Sequence, residues 1–313
     1  MSAKGLSIMR DRLTGIIAAT FTPMDENGDL NLDRVGAIVD HLHRDGVSGL
    51  YVGGTTGEGM SLTVQERRDV AAAYVQAAKG RLPVLVHVGH NSLREARSLA
   101  EHARQIGATA ISAVPPSYFK PASVEALVSS LAEVAAGAPG LPFYYYHIPA
   151  LSGVSLDMVE FLHVAAERLP TLAGLKFTSP VLHEFQACLE FAKDRFDVLF
   201  GLDEMLLSAL SVGARGAVGS TYNFAMPLYR RILEAFARGD LAEARRFQAR
   251  SVAMIRVLSR YRGMPGFKAA MRLIGQDCGP TRLPLVSLTT GEMAAMREEL
   301  AATGFFEWAQ QRF

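Results

Sequence analysis

Chemistry in this chain is concentrated in a few short stretches. Lys176 lies in LAGLKFTS, residues 172–179, where Leu172 to Phe177 is otherwise apolar. Two readings of that lysine are open. Its ammonium could reach water along its own aliphatic stem. Alternatively the amine is held inside, where desolvation disfavours the ammonium form and leaves free amine to attack a carbonyl as a Schiff-base nucleophile. If the stretch is a strand, Gly174, Lys176 and Thr178 share a face. Gly174 then leaves room beside the amine and Thr178 offers it a hydrogen bond.

Tyr146 belongs to YYYH, residues 144–147. Alternation puts Tyr144 and Tyr146 on one face and Tyr145 and His147 on the other. Tyr145 reads as packing between a sheet and its helices. Tyr146, near a strand end, could shuttle a proton, with aromatic packing as the alternative. In GGTTGEG, residues 53–59, paired glycines let backbone N–H groups approach an anion, and Thr55 and Thr56 add hydroxyl donors. A carboxylate suits this loop. The alternative is a glycine-rich turn leading to a helix cap. No lysine follows, so it is a poor nucleotide loop.

GLDE, residues 201–204, supplies Asp203 and Glu204. Adjacent residues of a regular strand face opposite ways, so both could ligate one ion only if the strand has already ended. No nearby histidine completes a set, His183–Glu184 is not part of an HExxH motif, and His41 and His43 diverge on a helix. No metal site is expected, and the acidic pair reads as hydroxyl recognition or as a solvated loop. Ser220, in GSTYN, reads as an anion site after a last strand or as a turn.

These stretches need elements to position them. Eight short apolar runs, rich in Val, Ile, Ala and aromatics and mostly bounded by Gly or Pro, span 14–23, 49–54, 83–89, 108–116, 141–149, 172–179, 197–204 and 214–220. They read as strands buried on both faces. Amphipathic stretches separate them: 32–46, 63–80 with Thr63 and Glu66 as a capping pair, 92–107 with Ser92 and Glu95, and 155–169. Eight β-then-α units predict an α/β fold, a closed (β/α)8 TIM barrel over 14–238. Helical sequence continues past the eighth unit, so 239–313 is expected to be a C-terminal helical extension, and 1–313 a single domain. An open doubly wound sheet is disfavoured, because neither GxGxxG nor GxxxxGK[ST] occurs. In a barrel, function gathers at the C-terminal strand ends, where the stretches above fall.

Composition narrows the function. The net charge is +1 and 49% of residues are hydrophobic, enough for a large core without a basic stripe for nucleic acid. Apolar runs are interrupted well before the ~20 residues a membrane span needs. The start, MSAKGLSIMRDRLTG, lacks the apolar run of a signal peptide. Two distant cysteines, Cys188 and Cys278, give no disulfide framework or CxxC pair. A reducing, cytoplasmic location is expected.

In order and spacing, GGTTGEG, YHIPALSG, GLKFTS, GLDE and GAVGSTYN resemble the N-acetylneuraminate lyase and dihydrodipicolinate synthase family of class I, pyruvate-dependent aldolases. The resemblance covers nearly the whole chain. It implies that Lys176 forms the Schiff base and Tyr146 is the general acid and base. Thr55 and Thr56 bind the pyruvyl carboxylate, with Thr55 relaying to the tyrosine. Tyr118, in PPSYFKP, is the hydroxyl lent to a neighbouring subunit's site. A homotetramer follows, with pyruvate and a 2-keto sugar acid as partners and no metal or organic cofactor.

Dihydrodipicolinate synthases generally carry an arginine in the segment written here ALSG, to grip a second carboxylate; this chain has Leu151, which cannot. The blocks look closer to the sialic acid lyase branch. There Asp203, Glu204 and Ser220 would bind the polyol tail, with Thr178 and the backbones of Gly201 and Gly219 nearby. Thr55 stands where lyases often have serine, keeping a hydroxyl. Pro180 follows KFTS where many relatives differ. The implied reaction is retro-aldol cleavage of N-acetylneuraminate to N-acetylmannosamine and pyruvate. Alternatives are another 2-keto-3-deoxy sugar acid aldolase or dehydratase, a dihydrodipicolinate synthase-like enzyme, or a non-catalytic barrel that binds a keto acid.

Overall fold

A computed structural model describes residues 12–193 and 195–309; most of the stretch read above for a signal peptide lies outside them. Eight strands form: β1 (Gly15–Ala19), β2 (Gly49–Val52), β3 (Val84–His87), β4 (Ala110–Ala113), β5 (Phe143–His147), β6 (Leu172–Phe177), β7 (Asp197–Phe200) and β8 (Gly216–Gly219). Each falls inside one of the apolar runs. Every neighbouring pair is parallel, and β1 pairs with both β2 (Ile17↔Gly49) and β8 (Ile16↔Ala217), which closes the barrel. Closure removes both sheet edges, so even four-residue strands are paired on each side.

Helices follow the strands in alternation: α1 (Val35–Asp45), α2 (Val64–Ala78), α3 (Leu93–Gln105), α4 (Val124–Ala135), a short α5 (Pro149–Ser152), α6 (Met158–Arg168), α7 (Leu182–Ala192), α8 (Leu206–Ser211) and α9 (Tyr222–Ala237). The capping signal at Thr63 is realised. Its hydroxyl accepts from the Glu66 amide while the Glu66 carboxylate accepts from the Thr63 amide. Such a cap is worth about 1 kcal/mol. α9 is kinked at Ala225, two residues before Pro227, whose ring removes an amide from the helix. Four further helices complete the described chain: α10 (Leu241–Arg260), α11 (Met264–Leu273), α12 (Thr290–Ala302) and α13 (Phe305–Ala309). They pack back on the barrel, where Tyr229 and Ser251 share a 2.8 Å hydrogen bond and Gln248 accepts from the Leu207 amide.

Two cores result from strand alternation. The larger lies between barrel and helices and takes Leu50, Ile111, Tyr145, Leu175 and Phe177. The smaller fills the barrel with Ile17, Tyr51, Leu85, Tyr144, Tyr146, Leu199 and Val218. Tyr145 has the packing role read for it: it touches Phe161 at 4.7 Å between centroids, and its hydroxyl has no hydrogen-bond partner.

Two expectations are corrected. The seventh strand stops at Phe200 rather than running to Glu204, because Asp203–Met205 coils into a single 3-10 turn. Gly174 does not serve the lysine's space. A Cβ there would meet the backbone of Asp197, with its carbonyl oxygen at 1.9 Å. The register between β5 and β6 slips at this point, from Phe143↔Leu172 to Tyr144↔Gly174, so Ala173 is the extra residue of a bulge. Among the described residues, no helix is long and apolar enough to cross a membrane.

Candidate active site

Lys176 is held inside: the residue is 5% exposed. Its Nζ lies 4.0 Å from the Tyr146 ring centroid and 4.5 Å from that of Tyr51. Strand register explains the first contact. Tyr146 and Lys176 are partners across β5 and β6, so parallel pairing sends both side chains into the barrel mouth. The amide of Thr178, donating to the His147 carbonyl at 2.8 Å, carries that pairing one step past the strands.

The Tyr146 hydroxyl shares a 3.3 Å hydrogen bond with Thr55 Oγ1. Thr56, next in sequence, points elsewhere and bonds Ser220 Oγ at 2.7 Å. Consecutive threonines thus join the loop after β2 to β5 on one side and to the end of β8 on the other. Thr55 is exposed and Thr56 buried, so the loop offers one open and one sheltered hydroxyl.

The acidic pair sits in the turn after β7. Asp203 is buried, and one carboxylate oxygen accepts from both the Thr221 amide (2.8 Å) and its hydroxyl (2.6 Å). Burial pushes its carboxyl up to about 6 against those two hydrogen bonds. Its other oxygen occupies the space a Cβ of residue 219 would need, at 1.6 Å, so Gly219 is required by close approach. Gly201 does the same for Thr178, whose hydroxyl would lie 1.9 Å from a Cβ. That hydroxyl is buried and has no hydrogen-bond partner. Glu204 is half-buried beside this group. The turn frees the pair from strict alternation, yet among the described residues no cluster of His, Cys, Asp and Glu could hold a metal ion.

Lys176, Tyr146, Thr55, Thr56 and Ser220 are therefore linked by contacts at the strand ends, and Thr178, Gly201, Asp203, Glu204 and Gly219 line the adjoining side over β6 to β8. Tyr118 stands apart. It is 79% exposed and stacks edge-on against Phe119, itself 85% exposed, at 4.9 Å. Leu151 is exposed on the short α5, and Pro180 is exposed two residues before α7.

Sequence reasoning missed the support beneath the amine. Tyr51 donates to Ser112 Oγ at 2.9 Å, and its ring meets Tyr146 edge-on at 5.7 Å. His87 stands 6.0 Å from the Tyr146 ring. Arg67 reaches in from α2 to donate to the carbonyls of His87 and Gly89, both at 2.8 Å. Burial, then the positive charges of Arg67 and Lys176, hold the His87 imidazole well below its ordinary range, so it is neutral near pH 7. These residues come from four elements, and no local pattern marks them as a group.

Comparison with known proteins places the chain in a family. Residues 12–303 match the dihydrodipicolinate synthetase family. The N-acetylneuraminate lyase of Rattus norvegicus is 44% identical over 308 residues, covering 97% of this chain and 96% of its own. A solved N-acetylneuraminate lyase of Proteus mirabilis superposes with a TM-score of 0.92 at 41% identity, over 94% of this chain and 100% of that one. The corresponding sialic acid aldolase of Aliivibrio salmonicida gives 0.92 at 43% identity, over 95% and 98%. A family match over residues 12–303, a 44% identical relative and a closed eight-stranded barrel leave one assignment: the chain belongs to the dihydrodipicolinate synthetase family.

Proposed function

We propose that this protein is a class I aldolase that cleaves N-acetylneuraminate to N-acetylmannosamine and pyruvate. The observation that carries the reading is the enclosed Lys176 amine against the Tyr146 ring, with the Tyr146 phenol hydrogen-bonded to Thr55. Near-full-length similarity to N-acetylneuraminate lyases supports the choice of substrate.

In the proposed reaction the Lys176 amine attacks the C2 keto group of the open-chain sugar acid, and loss of water gives an iminium. The C3–C4 bond breaks with its electron pair drawn into the iminium, forming an enamine. Tyr146 takes the C4 hydroxyl proton, and the aldehyde of N-acetylmannosamine leaves. Protonation of the enamine at C3 and addition of water release pyruvate and restore the amine. Thr55 and Thr56 hold the carboxylate. Thr178, Asp203, Glu204 and Ser220, with the Gly201 and Gly219 backbones, hold the polyol tail. The unpartnered Thr178 hydroxyl supports this, since a buried hydroxyl without a hydrogen bond is costly and a bound sugar would satisfy it. The lysine supplies the electron sink, so the cycle balances without a metal or organic cofactor.

The assembly in this reading is a cytoplasmic homotetramer in which Tyr118 enters a neighbour's site. Exposure of the Tyr118–Phe119 pair supports the second part, and two buried free thiols suit a reducing compartment. Residues 14–238 and 239–313 form one domain, with Tyr229–Ser251 among the bonds joining them. The test is pyruvate with borohydride, which should leave a covalent adduct on Lys176, together with pyruvate release from a panel of 2-keto-3-deoxy sugar acids. Folded protein without an adduct defeats the mechanism. Faster release from a sugar acid other than N-acetylneuraminate defeats the substrate assignment.

A further inference from the structure

The Thr55–Thr56 peptide lies among four glycines, Gly53, Gly54, Gly57 and Gly59, so the local sequence does little to hold it still. Glu58 is the exception in this loop. Its backbone adopts a left-handed conformation, φ 54°, which a residue with a side chain rarely takes unless other contacts impose it. Its amide donates to the Thr55 carbonyl at 3.0 Å, so its placement is passed directly to the threonine.

What fixes Glu58 comes from the far end of the chain. Lys268, on α11, donates from Nζ to Glu58 Oε1 at 3.0 Å and to the Pro280 carbonyl at 2.6 Å. The side chains of this ion pair are 2% and 0% exposed. The other Glu58 oxygen accepts from the Arg282 amide at 2.8 Å. The Arg282 guanidinium then forks onto Glu66, in the first turn of α2, at 2.8 and 2.5 Å. Both ends of the segment running from the loop into α2 are therefore tied to residues beyond position 260. A fully buried ion pair is a weak source of stability, because desolvation offsets most of the attraction. Placing a group is the better-supported use for it here.

We propose that Glu58, clamped by Lys268 and Arg282, is a positioning residue that sets the Thr55–Thr56 peptide for the substrate carboxylate, so that the C-terminal helices are part of the binding machinery. This rests on the reading of the two threonines as the carboxylate site. Lys268→Met leaves the Glu58 carboxylate buried without its cation, and the loop must rearrange to solvate it.

The experiment measures pyruvate affinity by calorimetry and adduct yield at saturating pyruvate with borohydride, on wild type, Lys268→Met and Lys268→Arg. The expected result is a pyruvate Kd raised about tenfold in Lys268→Met, with adduct yield at saturation near wild type and most of the affinity recovered in Lys268→Arg. A folded Lys268→Met protein with lowered melting temperature and unchanged Kd overturns the proposal. If Lys268→Met does not fold, Glu58→Gln, which removes the charge and keeps an acceptor for the Arg282 amide, decides in the same way, with a rise of about threefold expected and an unchanged Kd overturning. If wild-type protein binds pyruvate but is never trapped, the Schiff-base reading fails while the Kd comparison still decides the clamp.

Discussion

Lys176 and Asp203 are both buried, yet the barrel holds them by different means. Ring faces flank the amine, whereas the carboxylate is held by an amide and a hydroxyl from one residue, Thr221. The two hydrogen bonds do not offset the burial of Asp203, and its carboxyl moves from the ordinary 3.8 to about 6. The native state therefore binds this proton more tightly than the unfolded chain does. Stability contributed here falls as pH rises from about 4 to about 6, and the penalty above that is on the order of 2–3 kcal/mol. Asp203→Asn keeps an acceptor for Thr221 and removes the titration. Denaturant unfolding from pH 4 to 8 should show the variant gaining on wild type across that window and levelling above it. Parallel profiles would mean that Asp203 does not titrate in the fold as described. Lys176 was legible because an amine is out of place in an apolar run, whereas Tyr146 and the threonine pair each had an ordinary local reading and were singled out by the family resemblance. Glu58 carries no local signal of its role, since its partners lie more than 200 positions away.

Strands were the most legible elements. Burial on both faces writes a continuous apolar run, and closure leaves no edge strand to blur the pattern. Less legible was whatever depends on two elements meeting. The β6 bulge answers to the backbone of Asp197, and the turn after β7 is held through Asp203 by Thr221, just past β8. Gly219 is the clearest case of such dependence. Its missing side chain is the space one Asp203 oxygen fills, and Thr221 prevents that carboxylate from retreating. Gly219→Ala should therefore distort the tail side of the site and spare the lysine. The expected outcome is a KM for the sugar acid raised about tenfold or more, with pyruvate trapping on Lys176 within about twofold of wild type. An unchanged KM would remove Asp203 and Gly219 from substrate binding.

At the scale of the whole molecule, an aromatic pair as exposed as Tyr118 and Phe119 is the surface least explained by a single chain. If each subunit lends Tyr118 to a neighbour, two inactive variants should repair one another. Lys176→Ala subunits carry an intact Tyr118, and Tyr118→Ala subunits carry an intact Lys176. Dissociated together in equal amounts and reassembled at random, they should recover about a quarter of wild-type activity, because mixed neighbours rebuild complete sites. Mixtures no more active than the sum of their parts would place Tyr118 outside the shared site. The C-terminal helices, legible only as surplus helix, gave no sign of their grip on Glu58.

Thr55 and Thr56 face opposite ways, one to Tyr146 and one to Ser220. That arrangement constrains how such a protein can diverge. Ser220 is an obvious position to alter when a new sugar is to be accommodated, but its hydroxyl is already joined to Thr56. Altering it disturbs a peptide whose other residue touches Tyr146, the tyrosine proposed to move the proton. Changes in selectivity and in turnover are thereby inherited together, and a lineage exploring new sugars must adjust the loop after β2 in step with the end of β8.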